Sequence, residues 1–187
     1  MVETNNANRV VVAGSGTVYV APTATVGPTA ISGALNASFL QVGFISEEGA
    51  TFTESKDVTD INAWQSFYAI RKIVNSRNVQ ISFAMREWNK RTVELALGGA
   101  VTQTVVNEWI YTPPAPSDTG EKSMVIEWVD GSKNYRLYFP KGIVTEAVES
   151  TLTRTAAADL PVTFNAVDPG GSTSIYKLFT NDSAFSS

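Results

Sequence analysis

The sequence predicts a mainly β protein, an antiparallel β-sandwich or barrel-like fold with one flanking α-helix and a long inter-strand loop. Three observations lead there. Short runs rich in Val, Ile, Thr and aromatic residues alternate with polar positions and are separated by Gly-, Pro- and Asp-containing turns. The apolar period lengthens to that of a helix only over 89–97. Between two strand signals lies a 22-residue stretch, 57–78, with no clear periodicity, longer than the ~12–15 residues that a compact domain tolerates without a function. With 187 residues and a hydrophobic fraction of 43%, the chain suits one domain with a core of its own.

Taken in order, residues 1–8 read as a polar N-terminal arm, 9–168 as a single domain and 169–187 as a C-terminal arm. Arg9–Ala13 and Thr17–Ala21 flank Gly14-Ser-Gly16 and predict a hairpin. From Pro22 to Ala37 the chain is small and uncharged, a loop suited to contact with a neighbouring molecule. Phe39–Ser46 and Ala50–Lys56 predict strands joined by a tight turn at Glu47-Glu48-Gly49. In the next strand Val79, Ile81, Phe83 and Met85 share one face, which places that face over a core. Asn89 is a suitable cap for the helix, and Gly98-Gly99 ends it. Residues 100–122 read as loop apart from Glu108–Tyr111. Met124–Val129 and Tyr135–Phe139, around Asp130-Gly131, give the strongest hairpin signal. Both faces of this hairpin are partly apolar, which suits a sandwich centre or a subunit contact. Ile143–Thr151 and Leu160–Ala166 predict further strands, with Pro161 at a strand start or edge. Ser174–Phe179 fits a last strand or part of the arm, which brings the total to about nine strands and one helix.

Composition narrows function. The chain has no cysteine and no histidine, so disulfides, thiolate metal sites, Ser-His-Asp and Cys-His arrangements are excluded. A formal charge of −4, with no cluster of Lys and Arg, does not suit a duplex-binding face. No apolar run approaches the ~20 residues that span a bilayer. Glu146 and Glu149, three apart in a strand-like segment, fall on opposite faces and fail as a glycosidase pair. Asp57 and Asp60 lack a full calcium-ligand loop. The reading is not enzymatic, with no cofactor and no metal.

The stretch from Phe39 to Gly99 carries a family likeness. Val42-Gly-Phe-Ile-Ser-Glu-Glu-Gly-Ala-Thr-Phe52, Asp60-Ile-Asn-Ala-Trp-Gln-Ser-Phe67, Arg71-Lys-Ile-Val74, Met85-Arg-Glu-Trp-Asn89 and Glu94-Leu-Ala-Leu-Gly98 together resemble the major tail protein of long-tailed bacteriophages, the tail tube subunit. Val18-Tyr-Val-Ala-Pro22 is similar to versions from phages of actinobacteria. Phe139-Pro-Lys-Gly-Ile143 and Leu160-Pro-Val-Thr-Phe164 fit the family's closing region more loosely.

The resemblance implies a virion structural protein, assembled in the host cytoplasm, whose copies close into hexameric rings. The rings stack into a hollow tube that passes the genome without binding it specifically. A tape measure protein and tail-end proteins are the implied partners. On that reading Asp57, Asp60, Trp64, Phe67, Tyr68, Arg71 and Lys72 make contacts between rings or subunits. Glu47, Glu48, Glu54, Glu127, Glu146 and Glu149 are the candidates for facing the lumen, where like charge repels DNA. The alternative is a β-sandwich binding module of a tail tip or baseplate, which recognises a partner protein or host glycan through aromatics gathered in one cleft.

Overall fold

The computed structural model describes residues 5–146 and 148–186. The first half of the predicted N-terminal arm, residues 1–4, lies outside them, as does Ala147 within the predicted strand Ile143–Thr151. The strands in chain order are β1 (Ser15–Pro22), β2 (Leu40–Gln41), β3 (Ile45–Ile61), β4 (Arg71–Met85), β5 (Ala100–Val105), β6 (Glu108–Thr112), β7 (Lys122–Asp130), β8 (Lys133–Val144), β9 (Leu160–Ala166) and β10 (Lys177–Thr180). Helix α1 (Lys90–Leu97) lies between β4 and β5. All strand pairs are antiparallel.

The main sheet runs β2-β1-β7-β8-β9-β4-β3, and β8 organises it. One edge of β8 pairs with β7 along most of its length. The other is shared, with Tyr135–Tyr138 facing β10 and Gly142–Val144 facing β9. Two half-sheets therefore diverge from β8, and their apolar faces meet. Val18, Met124, Ile126, Leu137 and Phe139 from one half pack with Val79, Ile81, Phe83, Met85, Leu160, Val162 and Phe164 from the other. Phe139 and Phe164 meet edge-on, with ring centroids 6.0 Å apart. The predicted sandwich is the observed architecture, and the barrel is not closed.

Helix α1 covers one end of this core with Leu95 and Ala96. The Asn89 side chain accepts from the N–H groups of Arg91 (2.9 Å) and Thr92 (3.1 Å), and Thr92 Oγ1 accepts from Asn89 N–H in return. The helix stops at Gly98 and Gly99, both at positive φ. A Cβ on Gly99 would lie 2.2 Å from the Thr112 carbonyl, so β6 can approach only because glycine stands there.

The second face of the β7–β8 hairpin is also dry, for a reason internal to the chain. Segment 22–39 folds back over it, and Phe39 and Leu35 pack on Val125 and Tyr138. Arg136 holds the cover down, donating to the carbonyls of Ala30 (2.6 Å) and Gly33 (2.9 Å) and pairing with Glu127. The loop expected to meet a neighbour thus completes its own subunit.

Several expectations need correction. Arg9–Ala13 forms no strand; 7–9 is a 3-10 turn, and β1 pairs with β2 and β7 instead. Glu47-Glu48-Gly49 is not a turn between strands but an irregularity inside β3, whose register with β4 shifts between Ile45 and Ala50. The predicted strand 143–151 is only the end of β8, because past Val144 the chain leaves the ladder. Residues 100–112 form a hairpin in a sheet of their own. Of the two readings open for Ser174–Phe179 the strand holds, since residues 177–180 return to the main sheet beside β8 and only the rest of 169–187 is left as an arm. Pro161 stands at its strand's start as expected, second in β9; the β8 ladder covers only Phe164–Ala166, so the proline disrupts no pairing on that side.

The largest correction concerns 57–78. Strand β3 continues to Ile61 and β4 begins at Arg71, so only 62–70 lies outside the ladder. The ribbon carries polar and apolar residues on both faces with no core beneath it, and period-2 patterning is set by burial. Its strands were therefore invisible to periodicity.

Candidate assembly surface

Beyond the Glu54–Val79 pair, β3 and β4 leave the core and project as a two-stranded arm. All residues of 51–62 and 71–78 are exposed. At about 3.4 Å per residue, the arm reaches about 25 Å from Glu54 to Ile61. A β-bulge at Asn75 shifts its register between Asp57 and Val58. There the Asn75 side-chain amide donates to Asp57 Oδ2 (3.1 Å) and Thr59 Oγ1 (2.7 Å). Further out, Lys72 Nζ lies 2.6 Å from Asp60 Oδ1.

The tip is shaped by local hydrogen bonds. Ile70 N–H closes onto the Ile61 carbonyl (2.8 Å), Ser66 N–H onto Ala63 (3.1 Å), and Ser66 Oγ onto the Tyr68 carbonyl (2.9 Å). This ordered backbone presents Trp64, Phe67 and Tyr68 outward, at 100%, 107% and 83% relative exposure. Three aromatic rings turned fully into water form an apolar surface that a soluble monomer has no use for. All seven predicted contact residues fall on the distal arm: Asp57, Asp60, Arg71 and Lys72 on its strands, and Trp64, Phe67 and Tyr68 at its tip.

Sequence reasoning missed the apolar residues that extend this surface down the ribbon. Val58 faces Val74, while Ile61 and Ile73 lie on the opposite side; Ile70 is exposed beside the tip. Their signal was present as β-branched residues, but without a readable face. Further exposed apolar residues, Val106 at the turn and Trp109 and Ile110 on opposite faces of β6, were also missed, because the partner strand of Glu108–Tyr111 read as loop.

The six predicted acidic residues are not brought together. Glu54 accepts from the Tyr176 hydroxyl (3.0 Å) and lies 4.0 Å from Arg77, on the core-side face of the arm's base. Its bond holds the Tyr176 proton and raises that phenol's pKa. Glu127 is engaged by Arg136 on the other half-sheet. Glu47 and Glu48 are exposed on the irregularity of β3. The Glu48 carboxyl is held below its ordinary range by hydrogen bonds from the Ser46 side chain and its own backbone N–H. Glu146 accepts from Thr163 Oγ1 (2.9 Å) and shares a shallow cleft of about 450 Å³ with Glu48 and Asp159. Glu149 is exposed in the segment that follows.

Among the described residues, no group of three or more acidic side chains is placed to hold a metal. No helix there is long and apolar enough to cross a membrane. The four tryptophans stand apart. Trp64 is at the arm tip, Trp109 on the small hairpin, and Trp88 donates to the Ala158 carbonyl (2.7 Å), while Trp128 stacks on Tyr135 (5.2 Å). No cleft gathers them as a glycan site would.

The molecule is thus a β-sandwich core from which a two-stranded arm with an exposed aromatic tip projects. Among known families, the one described as phage tail tube protein matches residues 3–187, and the chain belongs to it. The protein is thus a structural component of a phage tail tube. None of the curated proteins matches the chain in sequence.

Proposed function

We propose that copies of this chain close into rings, six to a ring by resemblance, and that the rings stack into a hollow conduit for the phage genome. The observation that carries this reading is the arm, an ordered ribbon about 25 Å long that ends in Trp64, Phe67 and Tyr68 fully exposed. Membership of a tail tube family supplies the partner, another copy of the chain. Asp57, Asp60, Arg71 and Lys72 set register at this contact, and the aromatics supply most of its energy. Tape measure and tail-end proteins complete the tail. Val18–Pro22 supports a relation to versions from phages of actinobacteria. Assembly then takes place in the host cytoplasm.

The test is negative-stain microscopy of concentrated protein. Rings or hollow tubes are the expected result; isolated globules at every concentration would overturn the reading.

A further inference from the structure

The two half-sheets differ in what covers their outer faces. The β1–β7–β8 half is roofed by segment 22–39. Over β3 and β4 the outer face of β3, β4 and β9 has no such roof among the described residues, Thr163 of β9 alone being buried beside Glu146, and its composition is unusual. Two cross-strand rows span it, Thr51–Ser82–Thr163 and Thr53–Gln80–Asn165, and Ser55–Asn78 begins a third. Not one of these residues is charged or aromatic. An ordinary solvated surface is about a quarter to a third charged, so a plain water-facing sheet of this area should carry two or three such side chains.

The cations are segregated. Lys56 and Arg77 face each other on the opposite side of the ribbon, as do Lys72 and its partner Asp60. The nearest cations sharing the open face are Arg86 at one end, 3.4 Å from Asp159, and Arg71 at the tip. On the β9 side the polar groups also satisfy one another. Ser82 and Thr163 hydroxyls lie 3.1 Å apart, Thr163 donates to Glu146, and Asn165 donates to Thr145. These lateral bonds occupy the hydroxyls and the amide on the β9 side of the face.

We propose that this neutral hydroxyl- and amide-bearing face of β3, β4 and β9 lines the channel, where a double-stranded polyanion slides past it. Retention of phosphate requires Lys or Arg to displace condensed counterions, and the face provides none along its rows. Slipperiness here comes from an absence of cations. Repulsion is confined to the carboxylates at its ends, Asp57 toward the tip and Glu48 and Glu146 at the base. Glu54 and Glu127, engaged elsewhere, take no part. This inference rests on the tube reading above.

The chain contains no cysteine, so single thiols can report the face directly. Thr53→Cys and Gln80→Cys would be treated, as dispersed subunits and as tubes, with a small maleimide and with a maleimide on a polymer coil wider than the channel. Subunits should react with both reagents. Tubes should keep their reaction with the small reagent and lose it with the large one. Equal labelling by both in tubes places the face outside, and loss of both places it in an interface; either result overturns the inference alone. Wild-type protein that never forms tubes overturns the tube reading and the inference with it. As a second readout, tubes of Thr53→Lys/Gln80→Lys should retain DNA, with log K against log [salt] steepened by about one unit per new phosphate contact. Tubes of that variant with wild-type DNA retention would also overturn it.

Discussion

The Tyr135 hydroxyl donates a 2.7 Å hydrogen bond to Asp182 Oδ2, fastening β8 to the last turn of the described chain. Lys133 Nζ lies 3.1 Å from the same oxygen, and Ala184 N–H donates to Oδ1 (2.9 Å). Chiefly through the Ala184 N–H and then the Tyr135 hydroxyl, the Asp182 carboxyl is held down at about 2. The bond to Asp182 pushes the Tyr135 phenol up to about 12.

The two shifts define two pH limits. Asp182 is depressed, so its stabilising contribution is complete above the unfolded carboxylate value near 4 and disappears as pH falls toward about 2. Tyr135 is raised, so its contribution is complete below pH about 10 and is lost as pH rises toward about 12. Urea unfolding of the dispersed subunit across pH should show both limbs. In Asp182→Asn the acid limb between pH about 4 and 2 should flatten. An unchanged acid limb in that variant would show that the tie does not form.

Arg136, 6% exposed, is the only cation among the described buried residues. Replacing it with Ala strips Glu127 of its partner and frees the carbonyls of Ala30 and Gly33. Breaking a fully buried pair costs about 3 kcal/mol or more; Glu127 keeps 28% of its side chain in water, so the loss should fall below that, and the roof over Val125 and Tyr138 should loosen as well. Proteolysis in 22–37 should accelerate more than cleavage elsewhere. Uniform acceleration would mean that the arginine stabilises the whole sandwich rather than its cover.

These cases show what the sequence made legible. Where one face of a strand is dry, as at Val79, Ile81, Phe83 and Met85, alternation revealed both the strand and the direction of the core. The Asn89 cap and the Gly98-Gly99 stop were equally local, and α1 lies where they put it. The arm strands, exposed on both faces, offered no such contrast, though their aromatics still marked the tip. Arg136 was missed because its partners are backbone carbonyls over a hundred residues away, which no local pattern encodes. The neutral face of β3, β4 and β9 stayed hidden for a related reason. Its rows exist only once the register aligns three strands, and acidic residues drew attention instead.

The arm has a full ladder but no burial beneath it, so it should open locally at little cost while the sandwich stays closed. In dispersed subunits, amides of 57–78 should exchange well ahead of 79–85, where the same strand crosses the core. Polymerisation should slow exchange in the arm and leave 79–85 nearly unchanged. Equal protection of both parts of β4 in the dispersed state would make the arm part of the folding unit.

Trp64→Ala separates folding from assembly most cleanly. The ring touches nothing that its removal would expose, so the subunit's unfolding free energy should change by no more than about 0.5 kcal/mol. At a contact, the same truncation at a hot spot costs about 2 kcal/mol, or about 30-fold in affinity. Every copy in a tube repeats the loss, so the concentration needed for polymerisation should rise at least that far. Lys72→Ala, which removes one member of an exposed pair, should cost far less. Light scattering against protein concentration, with unfolding curves for the same preparations, distinguishes the outcomes. A destabilised subunit would place Trp64 in the core, and unaltered polymerisation would mean that copies meet elsewhere, with the β5–β6 hairpin and its exposed Trp109 the next surface to test.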